Sequence, residues 1–150
     1  MNRLALSTTL GLALVGCAHS VPVAQQQQQE QEKCELVQMV LHEPLPAQEL
    51  AAFANDGTEP PIPVMVFVRN PEQGLLERYF VGESPECGDT QFRVVRQLGR
   101  KGLVVYLQEA PNGGYSYDVR RAGPEQLSMG GAPQGVVRRN PEGGWAAATD

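Results

Sequence analysis

The sequence predicts an all-β protein, mainly antiparallel, built as a small β-sandwich or a partly open barrel with one short helix. Three observations carry this. Short runs of alternating apolar and polar residues recur through the second half of the chain. Turn clusters separate them, and the 150 residues include 16 Gly and 12 Pro, a composition of frequent reversals. Hydrophobic residues make up 41% of the chain, enough for the core of one domain of ordinary size.

Taken in order, Glu35 to His42 (Glu-Leu-Val-Gln-Met-Val-Leu-His) reads as a first strand, ended by Pro44 and Pro46. Ala47 to Ala54 is the short helix: Leu50, Phe53 and Ala54 fall at i, i+3 and i+4, and Asn55-Asp56-Gly57 supplies a stop. Thr58 to Pro63 is a proline-rich, extended connection. Ile62 to Arg69 and Leu75 to Gly82 then form a hairpin around Asn70-Pro71-Glu72-Gln73-Gly74, where Pro and a later Gly suit a type I turn closed by a left-handed glycine. Gln91 to Leu98 is the next strand, and the polar turn Gly99 to Gly102 leads into Leu103 to Glu109. Pro111-Asn112-Gly113-Gly114 turns the chain into Tyr115 to Arg120, whose Tyr115, Tyr117 and Val119 alternate with Ser116, Asp118 and Arg120. Gly135 to Arg139 and a short segment at Trp145 complete seven or eight strands, joined by Asn140-Pro141-Glu142-Gly143-Gly144. This last turn nearly repeats the one at Asn70, which convergence on good turn chemistry explains without a structural repeat.

At the other end, Arg3 precedes an apolar run from Leu4 to Val15 that is too short to span a bilayer, in the layout of a signal peptide. The run closes on Leu14-Val15-Gly16-Cys17, which resembles the lipobox of bacterial lipoproteins. The resemblance implies that residues 1–16 are a signal peptide and that Cys17 is a mature N-terminus carrying covalent lipid, so that the domain is held to a membrane. Ala18 stands where many such proteins carry an aspartate that retains them in the inner membrane, which implies the outer membrane. Residues 17–33 are then the lipidated cysteine and a Gln-rich tether, with Gln25 to Lys33 read as coil, and residues 34–150 a single β-rich domain.

With Cys17 acylated, Cys34 and Cys87 remain as a lone pair in an oxidising compartment and are expected to form a disulfide. The chain carries a net charge of −5, which disfavours nucleic acid as a partner. The charge is uneven, with 3 basic and 12 acidic residues from Cys17 to Thr90 against 8 and 5 from Gln91 to Asp150. Of the two histidines, His19 lies in the tether and His42 at a strand end beside Glu43. With no GxSxG, HExxH, Walker or GxGxxG pattern, the sequence reads as a protein without catalytic residues, metal or cofactor beyond the lipid on Cys17.

Arginine outnumbers lysine ten to two. Arg93, Arg96, Arg100 and Lys101 cluster around one strand and turn, while Arg120-Arg121 and Arg138-Arg139 pair at strand ends and are the candidate contacts for an acidic partner or for the phosphates of envelope glycolipids. Tyr106, Tyr115, Tyr117 and Trp145 suit core packing better than a groove. These features lead to the expectation of a lipid-anchored outer-membrane protein acting as a structural or accessory subunit of an envelope assembly. A component of a secretion or surface-motility machine and a ligand-binding or enzyme-inhibiting domain are the alternatives.

Overall fold

The structure, a computed structural model, describes residues 22–44, 47–54, 59–69, 77–81, 87–111, 113–123 and 133–148. The lipobox with Cys17, His19 and the turn at Asn70 to Gly74 lie outside the described residues, as do Asn55 to Gly57. The protein is mainly β: helices α1 (Val23–His42) and α2 (Ala47–Ala54) precede strands β1 (Ile62–Arg69), β2 (Glu77–Tyr79), β3 (Phe92–Val94), β4 (Gly102–Ala110), β5 (Gly114–Ala122), β6 (Gln134–Arg139) and β7 (Trp145–Ala147).

The seven strands form one sheet in the order β2-β1-β4-β5-β6-β7, with β3 pairing β1. Four of the six pairings are antiparallel, but β3 and β4 both run parallel to β1, so the sheet is mixed. It is not closed into a barrel, and among the described residues no second sheet faces it. The outer edge of β1 is divided: β3 takes Ile62 to Val64, and β2 takes Phe67 to Arg69.

Helix α1 corrects two expectations. Glu35 to His42 is helical, and so is the Gln-rich stretch read as coil, in one uninterrupted element of 20 residues. The physical reason is legible in retrospect. Gln, Glu and Lys are good helix formers, nothing between Ala24 and Glu43 breaks a helix, and prolines at 22 and 44 bound it. Leu36, Val37, Val40 and Leu41 then fall at i, i+1, i+4 and i+5, a buried stripe that a short apolar run disguises as a strand. Helix α1 therefore supplies the second layer that a sandwich would take from another sheet.

The main core lies between that stripe and one face of the sheet, where Ile62, Val64 and Val66 of β1, Leu103, Val105 and Leu107 of β4, and Val119 of β5 meet it. Leu50 of α2 joins the same cluster. The opposite face carries a smaller cluster of Leu98, Val104, Tyr106 and Ala122, flanked by Met65, Phe67 and Val95.

Three links fasten α1 to the sheet. Cys34 is bridged to Cys87, with 5.2 Å between their Cα atoms across 53 residues of sequence. The Glu32 carboxylate accepts from Arg139 Nη2 at 2.9 Å, and His42 Nε2 lies 2.6 Å from Asp89 Oδ2. Residues 23–29 of the helix are exposed, Val23 at its start by 70%.

Two glycines are required by local geometry. Gly143, at φ 89°, closes the turn after β6, where Gly144 N–H donates to Asn140 Oδ1 at 2.8 Å. Gly102 is buried where β4 starts beside β1, and a Cβ there would meet the Pro63 carbonyl oxygen and lie 2.9 Å from Pro63 Cγ. A carbonyl fixed in the sheet cannot move aside, so Gly102→Ala is expected to destabilise the fold by about 1–3 kcal/mol. Urea unfolding checks this, and an unchanged midpoint would refute the close approach.

Candidate functional site

The sheet's second face is built by strand alternation. Residues two apart share a face, so Phe67 and Arg69 of β1, Tyr106 and Gln108 of β4, Ser116, Asp118 and Arg120 of β5, and Gln134 and Val136 of β6 all point away from α1. Register sets them in rows. Phe67, Tyr106, Asp118 and Gln134 are successive cross-strand partners, and Arg69, Gln108, Ser116 and Val136 form the next row.

Within these rows the aromatic rings form a stack. Phe67 stacks on Tyr79 at 4.9 Å between centroids and on Tyr106 at 5.8 Å. Cations cover the stack: the Arg69 guanidinium lies 3.8 Å from the Tyr106 centroid, Arg120 lies 5.4 Å from the same ring, and Arg96 lies 5.0 Å from Tyr79. Tyr106 is only 6% exposed, whereas Tyr79 at the edge is 42% exposed. The Tyr79 hydroxyl donates to the Arg96 carbonyl at 2.7 Å, which fixes the ring.

Arg120 is further held by Asp118, whose Oδ2 accepts from Nε at 2.9 Å and from Nη2 at 2.6 Å. Asp118 Oδ1 is buried and has no hydrogen-bond partner. Beside this pair a trough of about 480 Å³ runs across the face, lined by Arg69, Tyr106, Gln108, Ser116, Asp118 and Gln134 among others. Its depth comes from sequence: Ser116 is short, between longer neighbours.

The four arginines proposed from sequence do not form one patch. Neighbouring residues of a strand point to opposite faces, so Arg120 and Arg138 are on the open face, while Arg121 and Arg139 are on the helix side. Arg121 lies 4.5 Å from the Phe53 ring of α2, and Arg139 lies 4.7 Å from Trp145 and donates to Glu32 and to the Gly143 carbonyl. Of the other basic cluster, Arg100 donates to the carbonyls of Glu59 and Pro61 at 3.0 and 2.7 Å, pinning the proline-rich connection. Arg69, Phe67 and Tyr79 were missed. The signal that could have found them is the spacing of two between Phe67 and Arg69, repeated between Asp118 and Arg120.

The aromatics expected in the core divide in the same way. Tyr117 is buried on the helix side, and Tyr115 packs edge-on against Phe80 and tilted against Trp145. Burial raises the Tyr115 hydroxyl pKa, reinforced by Glu109 and opposed by Arg139, and burial alone raises that of Tyr117. Both phenols are therefore neutral and unsuited to act as bases.

His42 and Asp89 form the one close pair of acid and imidazole among the described residues. Burial opposes ionisation of Asp89, yet the Phe92 and Gln91 N–H groups, donating to Oδ1 at 2.8 and 2.7 Å, together with His42, hold its pKa below the ordinary 3.8. These contacts close the turn before β3 and fasten the end of α1 to it. A depressed carboxylate pKa contributes stability that is present above the unfolded value and lost as pH falls through the folded one. Asp89→Asn is thus expected to destabilise at pH 7 and to approach the parent as pH falls through the folded carboxyl's pKa, below 3.8. A gap in urea midpoints independent of pH would refute the ionised pairing.

Among the described residues no group of three or more His, Cys, Asp or Glu could hold a metal, and no helix is long and apolar enough to cross a membrane. Comparisons with protein-family models, with curated proteins and with solved structures give no match.

Proposed function

We propose that this chain is a lipid-anchored protein of the outer membrane that serves as a non-catalytic structural or accessory subunit of an envelope assembly, and that the sheet face opposite α1 is the docking surface. The observation that carries this reading is the asymmetry of the sheet. One face is sealed by α1, while the other presents Tyr79, Arg96, Arg69 and Arg120 around a stacked aromatic row. Tyr and Arg are the residue types that concentrate binding energy at protein interfaces, and guanidinium groups held on aromatic rings lose little freedom on binding. The partner surface that fits is acidic.

Acylation of Cys17 supplies the membrane affinity, through more than one chain at about 0.8 kcal/mol per buried methylene. Helix α1 changes the mechanics of the tether. Ten residues from Val23 to Glu32 rise about 15 Å as a stiff rod, where a coil would wander. The alternative of a secretion or surface-motility component differs only in which assembly is docked.

The test is crosslinking in intact cells, with capture through a C-terminal tag and identification by mass spectrometry, repeated with Tyr79→Ala and Arg96→Glu. A reproducible set of envelope proteins recovered with the parent and lost with both variants is the expected result. Recovery of the chain alone, or capture indifferent to both variants, overturns the docking assignment. Fractionation of Cys17→Ser away from the membrane is expected alongside, and retention of that variant would overturn the anchor.

A further inference from the structure

We infer that the outer edge of β7 takes up an extended peptide segment of a partner protein by strand addition, with one large apolar side chain of that segment seated in the hollow between Trp145 and α1. This surface is separate from the sheet face opposite α1 and does not depend on what that face docks.

The backbone of β7 is half used. The Ala148 N–H donates to the Val136 carbonyl and the Asn140 N–H to the Gly144 carbonyl, both at 2.8 Å, and Ala146 lies opposite Arg138. Bonded pairs alternate along an antiparallel ladder, so Ala146 and Ala148 turn their N–H and C=O groups towards β6, whereas Trp145 and Ala147 turn theirs outward. Among the described residues no strand pairs with that outer edge. The complement of such a row of donors and acceptors is another extended backbone.

The edge is also unguarded. The sheet's other edge is formed by β2 and β3, where Arg78 and Arg93 are exposed, and charged side chains on an edge discourage strand addition. From Trp145 to Ala148 the chain reads Trp-Ala-Ala-Ala, with no charge and no proline.

Selectivity comes from the hollow beside this edge. Trp145 and Ala147 lie opposite Arg139 and Val137, so both side chains share the helix side of the sheet, and an added residue opposite Trp145 points the same way. There Leu36 of α1, Phe80, Tyr115 and Trp145 line a hollow of about 180 Å³. This is below the roughly 300–1,000 Å³ of small-molecule sites and suits one side chain. The cations at its rim are neutralised within the chain, Lys33 by Glu30 at 2.6 Å and Arg139 by Glu32 at 2.9 Å, so an uncharged apolar side chain fits it best.

A second copy of the chain is the weaker occupant. Pairing β7 with β7 of another copy requires a two-fold rotation about the sheet normal, which reverses every direction in the plane of the sheet. Helix α1 crosses the sheet from Glu32, beside Arg139, to His42, beside Asp89 ahead of β3. The two helices would therefore start at opposite ends of the joined sheet, and both could not lead from one membrane through the anchor proposed above.

The experiment uses Trp145, the chain's only tryptophan, as its reporter. The full chain in detergent is titrated with the capped pentapeptide Thr-Val-Phe-Val-Thr while tryptophan emission is followed. A saturable emission change is expected, with binding about tenfold weaker when alanine replaces the phenylalanine. Methylation of the phenylalanine backbone nitrogen should weaken binding about tenfold, the worth of one lost hydrogen bond. Ala147→Pro removes one outward N–H and no bond to β6, so the variant should fold and yet bind the peptide about tenfold more weakly. The methylated peptide tests the same bonds on the unaltered chain should that variant fold poorly. Tyr79→Ala, on the opposite edge, should leave the titration unchanged, so failure here and failure of the docking face are told apart. No saturable change, equal binding of the methylated or alanine peptide, binding by a folded Ala147→Pro variant equal to that of the parent, or a dimer in sedimentation that Ala147→Pro dissolves overturns the inference.

Discussion

Replacing both Cys34 and Cys87 by alanine is expected to lower the stability of the protein by roughly 4 kcal/mol, the chain-entropy value for releasing a loop of this length. The bridge spans 53 residues, which include α2, β1, β2 and the second half of α1. In the unfolded chain it denies that whole stretch its freedom. In the folded protein it joins α1 to the segment before β3, so its loss acts where the helix layer meets the sheet. Beyond Cys34, the helix keeps Leu36, Val37, Val40 and Leu41 in the core, and the His42 to Asp89 contact remains. Folding should therefore survive with a lower denaturation midpoint, and amide exchange in the second half of α1 should rise more than in β4 and β5. Urea unfolding of the parent in excess reductant should reproduce the double variant. A loss below about 1 kcal/mol, or both thiols free in the mass spectrum of the mature protein, would overturn the assignment.

How much of this was legible in the residues differs by element. The α2 helix and β1 have the same bounds as the periodicity predicts, and β4 to β7 agree within two residues, because each is a local pattern bounded by Gly, Pro or Asn. The antiparallel pairing of β1 with β2 was legible too, with β2 covering Glu77–Tyr79 among the described residues of the expected strand from Leu75 to Gly82. What local pattern could not show is that β4 inserts beside β1 in parallel, since that pairing joins residues far apart in sequence. Without it, a sandwich follows naturally from a list of strands.

Helix α1 was hidden by the opposite problem, an apolar octet read apart from the polar residues that continue its helix. The candidate site suffered from both. Adjacent arginines were grouped by sequence although a strand sends them to opposite faces, whereas Arg69 and Arg120 meet over Tyr106 through cross-strand register that no single segment encodes. The pairing of Cys34 with Cys87 was legible because the lipobox resemblance sets Cys17 aside, which leaves two cysteines and one partner choice.

The junction beneath the His42 end of α1 is also where a single substitution should do most harm, because Phe92→Ala is expected to cost about 3–5 kcal/mol. Phe92 is 0% exposed and is the largest fully buried side chain among the described residues. It sits in β3 opposite Ile62, meets the His42 ring edge-on at 5.3 Å, and shares the core with the α1 stripe. Its main chain is tied to Asp89 twice, donating to Oδ1 and accepting from the Asp89 N–H, both at 2.8 Å. These backbone bonds hold β3 in place, so the neighbours cannot collapse into the space left by the ring, and the cavity adds to the lost transfer energy. Phe92→Leu, which keeps most of the volume, should cost less than half as much. Urea unfolding of the two variants provides the check: equal losses would mean that ring packing is not what secures β3, and a loss below about 1 kcal/mol for alanine would place Phe92 outside the core.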